Sequence, residues 1–192
     1  MKSLTKRAHL AILAPLAVLV VLAGPAHATV VRYLELKEQV DLSRLVVRAR
    51  TGKTATTFVG KDGRPRTDRP FEILETYKGD RKAGETVRVR QLLGETGEER
   101  LSIPGDAVFV DGEEVVLLLD VDETGTAYLT ALGQSMYTVK PGEFGPTLER
   151  SLGELAFYQG GQLIPGGAEA PIPLDVFAKL VREYVRQGED AR

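Results

Sequence analysis

The chain has 192 residues, with 25 Lys and Arg against 27 Asp and Glu for a formal net charge of −2, and it contains no cysteine, no tryptophan and only two histidines. Without cysteine, no disulfide, thiol nucleophile, thiolate metal centre or cysteine-linked lipid can form. The weakly acidic total also argues against nucleic acid as a partner, and none is expected.

Residues 1–7 carry Lys2, Lys6 and Arg7 with no acid, residues 8–24 are apolar, and Ala26-His27-Ala28 sets small residues at the two positions a signal peptidase accepts. The expectation is a signal peptide over residues 1–28, cleavage before Thr29, and an exported protein, periplasmic or secreted, with no membrane anchor after cleavage. The competing reading, a spanning helix, needs roughly 20 apolar residues, and this run is shorter and interrupted by Pro15. His9 and His27 both fall in the segment to be removed. The chain from Thr29 onward then has neither imidazole nor thiol, which excludes Ser-His-Asp and Cys-His nucleophile systems and zinc sites built on His or Cys. No cofactor is expected.

Residues 34–45 place Leu36 and Val40 at helical spacing among charged residues and predict a short N-terminal helix. In residues 45–50, Val47 and Ala49 alternate with Arg48 and Arg50, which predicts a half-exposed strand. Residues 51–69 are polar, with turn signals at Thr51-Gly52-Lys53 and Lys61-Asp62-Gly63 around a short strand at residues 55–59, and they predict a mobile hairpin. Further strands are predicted at residues 71–77, 86–90, 115–121, 126–132 and 136–139, with the run at 115–121 apolar enough to fill a core on both faces. Leu152, Leu155, Phe157 and Tyr158 predict a last hairpin packed on the barrel, and residues 165–173 a Gly/Pro linker. Leu174, Phe177, Leu180, Val181, Tyr184 and Val185 then draw one apolar stripe along a C-terminal amphipathic helix. The predicted organisation is a signal peptide at 1–28, a β-barrel domain at 29–164, and a linker with the C-terminal helix at 165–192. The predicted fold class is mainly β, a small OB-like barrel of five to six strands with a helix at each end.

Within residues 44–69 there are eight Lys and Arg against two acids. Arg48, Arg50, Lys53, Arg64, Arg66 and Arg69 are therefore the candidate docking patch for an anionic polymer or a protein surface, the plainer reading being a solvated face. Asp120-Val121-Asp122-Glu123-Thr124-Gly125 matches the first half of a calcium loop, but Ala131 stands where the bidentate carboxylate belongs, so a hairpin turn is expected. Gln134 and Tyr137 would anchor a polar ligand if both faced a pocket; the alternative is a strand entry with Tyr137 in the core. The adjacent acids Glu98-Glu99 and Glu113-Glu114 would point to opposite faces of a strand. No serine stands in Ser-x-x-Lys spacing, and Gly94-Glu95-Thr96-Gly97 lacks the Lys-Ser/Thr of a phosphate loop.

The succession Leu45-Val46-Val47-Arg48-Ala49-Arg50, Glu75-Thr76-Tyr77-Lys78-Gly79-Asp80, Gly112-Glu113-Glu114-Val115-Val116-Leu117 and Tyr128-Leu129-Thr130-Ala131 resembles the OB-type barrel of netrin-like and tissue-inhibitor-of-metalloproteinase-like domains, as in exported bacterial proteins of the same rhythm. In the inhibitors an N-terminal cysteine, held by disulfides, chelates the protease zinc. This chain has no cysteine, so the resemblance implies the fold without that mechanism. The functional expectation is a non-enzymatic binding module whose partner is an envelope or extracellular protein or an anionic polymer. A carboxylate-based hydrolase and a protease inhibitor working through the mature N-terminus are the alternatives.

Overall fold

The computed structural model describes residues 28–190 except 98, so the expected signal segment, apart from Ala28, lies outside the described residues. Along the chain run β1 (Thr29–Val31), α1 (Leu36–Leu42), β2 (Leu45–Thr51), β3 (Thr56–Val59), β4 (Pro65–Lys78), β5 (Thr86–Gln91), β6 (Gly94–Thr96) and β7 (Glu99–Leu101). They are followed by β8 (Glu114–Val121), β9 (Ala127–Gly133), β10 (Met136–Lys140), β11 (Thr147–Glu149), β12 (Leu155–Gln159), β13 (Gln162–Pro165), β14 (Ile172–Pro173) and α2 (Leu174–Asp190).

Five strands close a barrel in the order β2, β4, β5, β9, β8 and back to β2. All neighbours are antiparallel except β5 and β9, which run parallel and meet at the single pair Val89 and Ala127. This is the OB-like barrel that the strand rhythm predicts. Its interior is filled by Leu45, Val47 and Ala49 of β2, Phe71 and Ile73 of β4, Val87 and Val89 of β5, and Val115, Leu117 and Leu119 of β8. Alternation sends Val46, Val116 and Leu118 to the outside of the wall, where Tyr137, Phe177, Ala178, Val181 and Val40 cover them. The apolar run of β8 thus serves two cores at once.

The stripe on α2 packs against its own domain, with Leu174, Phe177, Ala178 and Val181 buried. Phe177 lies between Tyr137 and Tyr77, at ring-centroid distances of 5.1 and 6.3 Å. The predicted linker contains β14, whose Ile172 pairs with Leu148 of β11 and so extends the barrel sheet to the foot of α2. The hairpin of β12 and β13 joins β1 in a separate three-stranded sheet, with β1 and β12 parallel. Three residues at 29–31 are too short to show a period, which is why β1 was not predictable.

Buried polar contacts tie this second sheet to the barrel. The Arg150 guanidinium ion-pairs with Glu169, donates to the Gln134 carbonyl (3.0 Å) and to the Tyr33 hydroxyl (3.0 Å), and stacks 5.1 Å from the Tyr137 ring centroid. The Tyr33 hydroxyl in turn donates to Glu169 (3.0 Å). Burial would raise the Glu169 carboxyl, but the hydrogen bond and charge of Arg150 outweigh it and hold the group below its ordinary value. Burial pushes the Tyr137 hydroxyl up to about 12.

Two outcomes check this arrangement by denaturant unfolding. Phe177→Ala should cost about 3–5 kcal/mol through the cavity it opens, while Val176→Ala, an exposed neighbour, should stay within about 0.5 kcal/mol. Arg150→Met should cost roughly 3 kcal/mol near pH 7, because it strands buried acceptors. That deficit should shrink on acidification, since stability from a carboxyl with a lowered folded pKa is present above its unfolded value and is lost as pH falls through the folded one.

Candidate functional site at the end of the barrel

β4, at 14 residues, is the longest of the described strands. Its second half pairs with β2 from Phe71 onward, while Pro65–Pro70 runs past the end of β2 between β3 and β5. The predicted hairpin is a ribbon formed by β3 and the start of β4, and Thr67 and Asp68 pair with both β3 and β5, which satisfies the backbone of a polar sequence there. Across it, Arg90 of β5 grips its register partner Asp68 with two hydrogen bonds of 2.7 and 2.8 Å and lies 4.8 Å from the Phe58 ring centroid.

The ribbon and the connection from β5 to β8 enclose a cleft of about 620 Å³. This connection, to which the sequence assigned no element, forms the hairpin of β6 and β7 and then folds back across the barrel mouth. Phe109 plugs the mouth with its ring 4.9 Å from that of Phe71 at 72°. The return is fixed at Gly105, whose φ of 78° suits glycine and where a Cβ would collide with the Leu155 side chain. The Gly105 N–H donates to Glu154 (3.1 Å), and its carbonyl accepts from Gly133 (3.1 Å).

Gln91, Asp106, Glu154, Glu95, Arg69 and Arg100 supply the polar lining of the cleft. Gln91 Nε2 donates to the Ala107 carbonyl (2.8 Å) and to Asp106 Oδ2 (3.2 Å), while Asp106 Oδ1 accepts from the Ala107 N–H (2.8 Å). Burial raises the Asp106 carboxyl, and these hydrogen bonds only partly offset the effect. Val108, also in the lining, is 75 % exposed.

Strand alternation divides the four arginines of the predicted patch that lie in strands. Arg69 shares the β4 face of Thr67 and Phe71, lines the cleft, and is held by Asp111 (2.5 Å) and the Gly52 carbonyl (3.0 Å). Arg48 and Arg50 lie on the opposite, outer face, both bonded to Glu114 (3.1 and 3.0 Å). Arg66 shares that outer face and holds Asp62 at 2.6 Å. Lys53 sits in the loop from β2 to β3 and Arg64 in the turn from β3 to β4, where its main-chain N–H donates to Asp62 (3.2 Å); neither side chain forms an ion pair among the described residues. Arg48 also lines a second groove, of about 590 Å³, where Phe144 stands 96 % exposed and Arg48 and Arg182 converge on Glu75 (4.0 and 2.7 Å). The predicted patch is thus three ion-paired arginines on the outer face, one ion-paired arginine at the cleft, and two cations in loops.

Asp120–Gly125 is a hairpin turn in which Asp122 Oδ1 accepts from the Thr124 and Thr126 N–H groups (both 2.9 Å). Among the described residues no cluster of three His, Cys, Asp or Glu could hold a metal ion. Gln134 is spent on backbone, accepting from Leu34 N–H (3.0 Å) and donating to the Arg32 carbonyl (3.1 Å), and Tyr137 is core. Thr29, the expected mature N-terminus, is paired into the sheet, with its N–H on the Glu154 carbonyl (3.2 Å) and its hydroxyl on the Pro104 carbonyl (2.5 Å). No described helix is long and apolar enough to cross a membrane.

Fold and cleft together define a closed OB-like barrel with a recess of mixed polarity at one end. Compared with known proteins, the chain matches no family model, no curated protein and no solved structure.

The raised Asp106 carboxyl sets a pH signature. A carboxyl raised on folding disfavours the native state above its folded pKa and has no such effect below its unfolded one. The thermal midpoint of Asp106→Asn relative to the parent should therefore be more favourable at pH 7 than at pH 3, measured by paired melts.

Proposed function

We propose that the protein is an exported, non-enzymatic binding module that engages an envelope or extracellular protein at the barrel-end cleft. The carrying observation is Val108, a largely exposed apolar side chain next to the Phe109 plug in a cleft that charged and amide groups also line. Exposed apolar side chains set among polar ones are the usual anatomy of a protein interface. A protein surface of mixed polarity suits this site better than an anionic polymer, since Arg48, Arg50, Arg66 and Arg69 already hold carboxylates. The resemblance to netrin-like and metalloproteinase-inhibitor domains supports this reading through its barrel architecture. The paired state of Thr29 gives no support to inhibition through a protruding N-terminus.

The test is recovery of a discrete partner from native envelope or culture fluid on immobilised protein. Val108→Asp should lower that recovery at least about tenfold, as loss of an interface anchor does, while the melting temperature is unchanged. Equal recovery by parent and variant would sink the reading.

A specific observation favours a second reading. Glu95, Asp106 and Glu154 line the same cleft, and Asp106 is the one whose burial favours the protonated form a general acid needs. That hydrolase reading requires release of reducing ends from envelope polysaccharide by the parent protein and its loss in Asp106→Asn; no release from either would dismiss it.

A further inference from the structure

Residues 155–168 carry no charge, although Glu154 and Glu169 stand at either side. This stretch contains the hairpin of β12 and β13, closed by Gly160 and Gly161. One face of the three-stranded sheet packs inward through Leu155 and Phe157, against Leu152, Val31 and Tyr33. The register puts Val30, Ala156 and Pro165 in one row of the other face, and Tyr158 with Leu163 in the next. That face is apolar and open: Tyr158 is 60 % and Leu163 61 % exposed.

The edge beside this face is also open. Among the described residues β13 pairs only with β12. The Gly166 N–H bonds the Leu155 carbonyl (2.8 Å). Antiparallel pairs alternate between bonded and non-bonded, so Tyr158 and Leu163 form a non-bonded pair and the Leu163 N–H and C=O face away from β12. Natural sheets blunt such edges with lysines, bulges, prolines or cover. Here the strand has no charge, and its one such residue, Pro165, stands at its end.

We propose that β13 pairs antiparallel with β13 of a second copy of this chain, around a two-fold axis at Leu163, to make a continuous six-stranded sheet. Self-pairing at this point sets Leu163 opposite its copy, where the two residues exchange two main-chain hydrogen bonds. The lack of charge on β13 is what suits it to a second copy. An uncharged edge meets its own copy without like charges opposite one another, whereas a charged strand would lose solvation with nothing to pair against. The Tyr158 and Leu163 row then runs across the axis and shields itself from water. These observations are independent of the cleft.

Sedimentation of the purified protein between roughly 1 μM and 1 mM, the range for a small interface, should show a reversible monomer–dimer equilibrium. Leu163→Lys and Leu163→Glu should each be monomeric throughout that range, and an equimolar mixture of the two should dimerise again, because opposite charges replace like ones across the axis. Hydrogen exchange at the Leu163 amide should slow as parent concentration rises. Leu163 is exposed, so both variants should keep the parent's melting temperature; if either does not, Tyr158→Ser replaces it as the dimer-weakening variant. A parent monomeric up to the top of the range, or a dimer that survives the charged substitutions, overturns the proposal. So does a strand of another protein bound on β13 while this chain stays monomeric.

Discussion

β8 is buried on both faces, and the rest of the molecule is arranged to keep it so. Val115, Leu117 and Leu119 face the barrel interior while Val116 and Leu118 face α1 and α2. A strand so placed has no solvated side, so the barrel must close around one face and a helical layer must cover the other. That need explains why the chain ends in an amphipathic helix and why β14 leads into it along the barrel sheet. It also gives Phe177 its importance, since that ring fills the space between the Tyr77 and Tyr137 rings.

A cysteine-free chain must fasten its peripheral segments in other ways, and here it does so with buried hydrogen bonds. Arg150 joins Glu169, Tyr33 and the Gln134 carbonyl, and the Gln134 side chain holds the backbone of Arg32 and Leu34. Such a network adds less net stability than apolar packing of equal volume, but it is exacting about geometry. It sets the second sheet against the barrel, and with it the position of Glu154, which braces the Gly105 bend at the cleft.

Alternation and helical spacing made the barrel strands, both helices and the two-sided burial of β8 legible in the sequence. The cleft was not legible. Gln91, Asp106 and Glu154 come from separate parts of the chain, and the connection that carries Asp106 has no period to read. The basic segment was visible as composition, yet its division was not: in a paired strand, neighbours such as Arg66 and Arg69 fall on faces fixed by register. A run of cations in sequence became an outer row of ion pairs and one arginine at the cleft.

The sequence by itself determined the chemical inventory and the local periods. Absence of cysteine is a fact of composition, and whether a segment can bury one face is decided by its own spacing. Tertiary structure decided which segments became partners: the parallel pairing of β5 with β9 through Val89 and Ala127, and the pairing of β1 with β12 from far along the chain. It also decided that the C-terminal stripe covers its own barrel, and that among the described residues β13 pairs with β12 alone. The physical reason is that a period records only that a face must be covered. What covers it depends on chain closure and on the sum of all the other pairings, which no local window contains.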